Sequence, residues 1–338
     1  MKRATIKDIA RVAGVSTSTV SRALHDHPDI GTAVKQKVRE VAEALHYHPN
    51  TQAVNFRKRK SNLIGLIIPE ISMFFFPSVI RGVSSVLDEK GYQLMVLPSN
   101  ESAEKEADNV KRCCENGVEG LIISLSHDTV DTKHLMQAID MDIPVVLFDK
   151  TLDHNFFDKV VIDDVNAAAL CVRKLLDAGS RRIVGLFGNP LLHISRNREV
   201  GFWDSLQAFS PAAKGIRLYA SSVEEVTHQL DLLIPDFLPD GIFAMSDETL
   251  AGTVVALRKH RVQIPEDCSV VCISDGAVPN IVDPPISYLH HSGYAVGRRA
   301  ALQLFEHLEA TLTRKEAQHI IIPTDFYAQQ SVMARPLK

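Results

Sequence analysis

TIKDIARVAGVSTSTVSRAL, Thr5 to Leu24, reads as two short helices set around a turn. Thr5 can cap the first, with Asp8 at the third helical position reaching back to close a capping box. Ile6, Ile9, Ala10 and Ala13 recur at helical spacing and share one face. Gly14 permits a sharp turn, and Ser16 can cap a second helix whose inward residues are Val20, Ala23 and Leu24. Val34, Val38, Val41, Ala42 and Leu45 repeat the spacing in a third helix. Together they predict a helix-turn-helix with a supporting helix.

The outward face of the second helix then carries Thr17, Ser18, Ser21 and Arg22. Short hydroxyl side chains let a helix approach base edges or phosphates closely, and the arginine fork matches guanine O6 and N7. Thr5, Ser16 and Thr19, at the helix starts, complete this set of candidate DNA contacts. Charge agrees. Residues 1–60 hold 12 Lys+Arg against 5 Asp+Glu, while the whole chain holds 37 against 41. A basic head on an acidic body points to one polyanion partner, met by the head alone.

Beyond the head the rhythm changes near residue 60. A basic run, Arg57 to Lys60, follows Phe56, and then apolar runs alternate with amphipathic ones. Strands are expected at 63–69, 92–97, 120–125, 143–149, 159–162, 181–188, 216–220, 241–245, 268–274 and 319–323. VIRGVSSVLDEKG, AAALCVRKLLDAG and LAGTVVALRKHR read as crossover helices, two of them closing on glycine. Continuous apolar strands with helical crossovers imply parallel sheets covered on both faces. Ten strands are too many for one comfortable sheet, so two α/β lobes are expected.

The length of 338 residues fits two or three domains, and 45% hydrophobic residues supply sizeable cores. The first residues, MKRATIKDIA, contain no signal-peptide stretch, and no apolar run reaches the length of a membrane span. Five cysteines without a CxxC pair fit buried thiols in a reducing cytoplasm. No GxSxG, Walker P-loop or HExxH is present, so no enzyme reading, cofactor or metal site is nominated. The rival readings are an α/β enzyme and a periplasmic-type binding protein. The head and the missing leader argue against the second.

TIKDIARVAGVSTSTVSRAL, HYHPNTQA and SNLIGLIIPEIS resemble the head, hinge and core entry of the LacI/GalR family of bacterial regulators. DEKGY, GVEGLII, RNREVGF, AMSDETLAG and PPIS extend the resemblance along the chain. It implies a head over 1–48, a hinge over 49–61 and a core over 62–338 that resembles periplasmic binding proteins. The core lobes would be discontinuous, about 62–161 with 292–322 and 162–291 with 323–338. It implies a homodimeric repressor on a palindromic operator, with a small effector, a sugar or sugar derivative, taken up between the lobes.

Matched from Asn50 through Ala53, the hinge has Phe56 where relatives wedge a leucine into the minor groove, and Val54 replaces the usual arginine. Phenylalanine is an effective intercalating wedge. The alternative is a hydrophobic clip against head or core. His46 and His48, flanking Tyr47, also depart from the family pattern. For the effector, Phe75 and Phe76 take the aromatic stacking positions and Arg198 that of the effector arginine. Ser126, Asp149, Ser246 and Asp247 fall at strand ends, where open α/β sheets bind ligands. In CSVVCISDG, Ser274 replaces a common carboxylate, with Asp275 next. That departure leaves a neutral sugar, a sugar phosphate or acid, and a purine-like ligand all open.

Overall fold

The structure, a computed structural model, describes residues 4–47, 61–72, 74–152, 156–310 and 316–334. The chain divides into two units, Met1–Ser61 and Asn62–Lys338.

The first unit contains α1 (Ile6–Ala13), α2 (Thr17–Leu24) and α3 (Thr32–Ala44). The α1 start is held by Asp8, whose Oδ2 accepts from the Thr5 backbone N–H at 2.9 Å and the Thr5 hydroxyl at 2.7 Å. Gly14 ends α1 at φ 69, in the left-handed region that costs other residues about 1–2 kcal/mol. Ser16 caps α2 by accepting from the Thr19 backbone N–H at 3.1 Å. Ile9, Ala10, Ala13, Val20, Ala23, Val38 and Ala42 form the core, with Ile6, Leu24, Val34, Val41 and Leu45 packed around it. The third helix stops at Ala44, where the Tyr47 N–H turns back to the Ala42 carbonyl at 2.8 Å. His46 takes the left-handed position, at φ 47, that glycine holds in the family pattern.

The second unit is built on two six-stranded sheets. One has the order β11-β5-β4-β3-β1-β2, with β1 Leu63–Ile68, β2 Gln93–Pro98, β3 Gly120–Ile123, β4 Val145–Phe148, β5 Asp158–Val161 and β11 His319–Ile321. The other has the order β12-β10-β9-β8-β6-β7, with β6 Arg182–Phe187, β7 Lys214–Tyr219, β8 Gly241–Ala244, β9 Ser269–Ser274, β10 Ser287–His290 and β12 Asp325–Tyr327. Every pairing is parallel except β10 with β12. Central strands such as β3, β4 and β9 are buried at every residue, as sheets covered on both faces require.

Helices α4 (Phe76–Lys90), α5 (Ala103–Glu115), α6 (Lys133–Asp140) and α12 (Gly293–Glu309) accompany the first sheet. Helices α7 (Asp164–Asp177), α8 (His193–Phe209), α9 (Val223–Leu233), α10 (Asp247–Lys259) and α11 (Ala277–Ile281) accompany the second. The chain passes between the sheets after β5, after β10 and after β11. Two strands, β10 and β12, were not marked by apolar runs. Serine and histidine bracket Tyr288-Leu289 in β10, and β12 is an edge strand of three residues. All five cysteines are free and buried. Among the described residues no helix is long and apolar enough to cross a membrane.

Candidate functional site

On the head, Thr17, Ser18 and Arg22 are exposed, while Ser21 and Thr19 are half-buried. The hydroxyls at the α2 start are engaged with one another: Ser16 Oγ lies 2.7 Å from Ser18 Oγ and 2.8 Å from Thr19 Oγ1. Thr5 is likewise occupied by Asp8. The Arg22 guanidinium makes no hydrogen bond among the described residues. The N-terminus of α2 therefore presents hydroxyls and backbone donors, and its last turn presents the exposed Arg22, which together suit a phosphate-lined groove. Asn50, Ala53 and Phe56 lie outside the described residues.

In the core, a cleft of about 780 Å³ opens at the carboxyl ends of both sheets. Phe75, Phe76, Asp149, Arg198, Ser246, Asp247, Ser274 and Asp275 all line it. The topology explains the gathering, because all but Arg198, which stands in the second turn of α8, lie at a strand end or at the start of the helix that follows. Phe75 precedes α4, Asp149 follows β4, Ser246 caps α10 after β8, and Ser274 closes β9.

Ser126 is the exception. It stands three residues past β3 and is fully buried beneath the loop. Its N–H donates to Glu106 Oε2 at 2.5 Å, and its hydroxyl pairs with Ser99 Oγ at 2.7 Å. Glu106, itself buried, gathers the loop inward by also accepting from Thr129 Oγ1 at 2.9 Å. Ser126 supports the loop rather than facing the cleft.

Arg198 sits on the buried face of α8 and is 3% exposed. Gly201, one turn on, makes this seat possible: a Cβ there would lie 2.1 Å from the Val165 carbonyl of α7. The close approach puts Arg198 Nε 2.8 Å from Asp164 Oδ1 at the α7 start. Nη1 donates to the Met245 carbonyl. Nη2 is buried with no hydrogen-bond partner among the described residues.

His291 was not singled out from the sequence, since it follows the unmarked strand β10. It is 5% exposed, its ring lies 4.4 Å from that of Phe75, and its Nε2 also lacks a hydrogen-bond partner among the described residues. The nearest acid, Asp149 Oδ1, is 4.0 Å away, beyond hydrogen-bond reach. Phe76 belongs more to the core, packing edge-on to Phe75 and Phe148.

Electrostatics follow burial. Burial raises Asp149 to about 6, although Arg198 and Lys150 pull the other way. Burial raises Asp247 to about 7; a Ser274 hydrogen bond lowers it, and Glu248 and Asp275 add to the rise. Burial also raises Asp164 against the Arg198 charge. It pushes His291 well below its ordinary value, with Arg198 and His290 adding to the effect, so the ring is neutral.

The Ser274 hydroxyl donates to Asp247 Oδ1 and accepts from the Gly276 N–H at 2.8 Å. The serine at 274 thus holds the Asp247 carboxylate of α10 in place.

Family comparison matches residues 61–330 to the periplasmic binding proteins and sugar-binding domain of the LacI family. Residues 5–50 match bacterial regulatory proteins of the lacI family. The ribose operon repressor of Bacillus subtilis is 29% identical over 299 residues, 88% of this chain and 90% of its own length. The transcriptional repressor PurR of Vibrio cholerae is 27% identical over 309 residues, 90% of this chain and 92% of its own. Among solved structures, the lac repressor dimer bound to operator and the anti-inducer ONPF superposes with a TM-score of 0.86 at 20% identity, covering 98% of this chain and 100% of that one. A LacI-family regulator from Enterococcus faecium with bound ribose gives 0.72 at 23% identity, over 81% and 100%. The helix-turn-helix head and the two-lobed core are therefore those of a known regulator class, and this chain belongs to the LacI family of bacterial regulatory proteins.

Proposed function

We propose that the protein is a cytoplasmic transcriptional repressor that binds a palindromic operator as a homodimer and releases or tightens its grip when a sugar-like effector fills the core cleft. The cytoplasmic location follows from the DNA partner. Thr17, Ser18, Ser21 and Arg22 of each head would meet base edges in the major groove, and the α2 start would meet phosphate. The hinge is placed at 49–61, with Asn50 and Ala53 against the minor groove and Phe56 as the wedge at the central base step.

The observation that carries the effector half is Arg198, buried on the cleft wall with Nη2 unpartnered. An unmet buried donor costs about 1–3 kcal/mol, which a ligand oxygen would recover on binding. Phe75 would cover one face of the ligand, and Asp149, His291, Ser246, Asp247 and Asp275 would fix its polar edge.

Selection from a random-sequence duplex library by the full-length protein tests the DNA half. A two-fold symmetric site should be enriched, and it should stay bound at salt concentrations that release scrambled duplex. Retention of every duplex alike, with no site enriched, would remove sequence-specific regulation from the account.

A further inference from the structure

The cleft is electrically lopsided. Glu70, Glu224, Glu225 and Glu248 line its outer wall; Glu101, Asp149, Asp247 and Asp275 line it deeper. Among the described residues that line the cleft, two permanent cations face these eight acids, Lys150 and Arg198. Both are committed already: Lys150 pairs with Glu101, and Arg198 with Asp164 behind the wall. His291 adds no charge, because burial keeps its ring neutral.

Arg198 and His291 are buried lining residues whose Nη2 and Nε2 lack hydrogen-bond partners among the described residues, and the arginine asks for a ligand oxygen. Asp247, 4% exposed, is oriented by the Ser274 hydroxyl and the Asp275 backbone N–H and is crowded by the Glu248 and Asp275 charges. Among the described residues no cation forms an ion pair with Asp247, Asp275 or Glu248; the contact at Asp275 is His290 Nε2 at 3.7 Å. Acids crowded without a counter-ion repel anionic ligands and favour a ligand that brings the missing positive charge.

We infer that the effector is a polyhydroxylated amine, an amino sugar or a compound of that kind, whose ammonium faces Asp247 and whose hydroxyl oxygen accepts from Arg198. The inference rests on the reading of this cleft as the effector site and narrows it. It excludes the sugar phosphates and sugar acids that the sequence left open. Asp247 and Glu248 become the residues that separate the amine from its neutral parent, and Ser274 the residue that holds Asp247 in place. A charge-assisted contact of this kind separates the two ligands by about tenfold or more in affinity.

Calorimetric titration of the full-length protein at neutral pH tests this with matched sets. Each set contains a parent hexose, its 2-amino-2-deoxy form and its 6-phosphate, in the gluco, galacto and manno series. At least one amine should bind about tenfold more tightly than its parent, and no phosphate should bind. Asp247→Asn should bring the amine to within about twofold of the parent, and Glu248→Gln, at the outer wall, should weaken the amine alone by about threefold. Circular dichroism establishes that each variant is folded, and the outer-wall variant keeps the test open should Asp247→Asn fail to fold. A phosphate that binds best, or amines indistinguishable from their parents, would overturn the amine inference while leaving the cleft an effector site. Silence across every set would sink the effector reading of the cleft as well, and the inference with it.

Discussion

In the head, polar groups are met by neighbours a few residues away. Thr5 is answered by Asp8 and Ser16 by Thr19, so the starts of α1 and α2 are completed within their own turns. In the core cleft the polar groups come from the chain after β4, from α8, β9 and α10 and from the chain after β10, far apart in sequence, and two buried nitrogens remain unmet among the described residues. A region satisfied locally can fold from local signals and turn its leftover groups, such as Arg22, to solvent. A region assembled from strand ends holds unmet groups in a dry wall, and a ligand must complete them. The contrast is between a surface ready to read and a cavity waiting to be filled.

The largest expected effect sharpens the cavity side. Asp247 titrates near 7 in the fold against 3.8 unfolded, so the folded state holds its proton more tightly. The stability it contributes is full below the unfolded value and is lost as pH rises from about 4 through about 7. That loss is on the order of 4 kcal/mol, the shift converted at 1.36 kcal/mol per unit. The groups crowding it, Glu248 and Asp275, add repulsion. Asp247→Asn removes the ionisation, so ligand-free core should melt at higher temperature than the parent at pH 8 and nearly alike at pH 4. Thermal scans at both pH values decide it, and equal shifts at the two would show that Asp247 is not strained.

Next comes the seat of Arg198. Gly201→Ala places a Cβ 2.1 Å from the Val165 carbonyl and must push α8 off α7. A loss of about 3 kcal/mol is expected, at the upper end for overpacking, since backbone on both sides has little room to yield. Chemical denaturation of the core transition measures it, and a variant as stable as the parent would mean the two helices are not closely seated.

The guanidinium itself is best probed by Arg198→Lys. Alanine would leave Asp164 buried without its partner and confound binding with folding. Lysine keeps the charge and loses the fork, so the affinity for any compound that binds the cleft should fall by roughly 2 kcal/mol while the fold persists. Unchanged affinity by calorimetry would take Arg198 out of the site.

The smallest effect belongs to the head. Asp8→Ala removes the acceptor of both Thr5 donors and should cost the head about 1 kcal/mol. Helical ellipticity of the full chain against temperature, compared with a parent scan, reports it. A loss several times larger would mean that the head is less locally determined than its hydrogen bonds imply.

The two regions also differ in how far sequence exposed them. Capping box, turn glycine and polar face lie within twenty residues in the head, so their joint pattern names the motif. Strands such as β1, β4 and β9 announced themselves as unbroken apolar runs because both faces of their sheet are covered. β10 did not, since Ser287 and His290 interrupt the pattern, and His291 was lost with it. Ser126 looked like a cleft residue because it follows β3, but buried Glu106 draws its loop inward. Ser274 and Asp247 were each marked in the sequence but their hydrogen bond was not, because it joins β9 to α10 through space alone.

The central claim is that the exposed face of α2 reads DNA sequence, and Arg22 tests it most directly. Binding isotherms are measured for parent and Arg22→Ala on the selected operator and on scrambled duplex, at several salt concentrations. The account predicts that the variant loses roughly 1–3 kcal/mol on the operator, relaxes preference at one position per half-site, and binds scrambled duplex as the parent does. Equal losses on both duplexes, with a shallower salt slope, would assign Arg22 to phosphate anchoring and contradict the reading face proposed for α2.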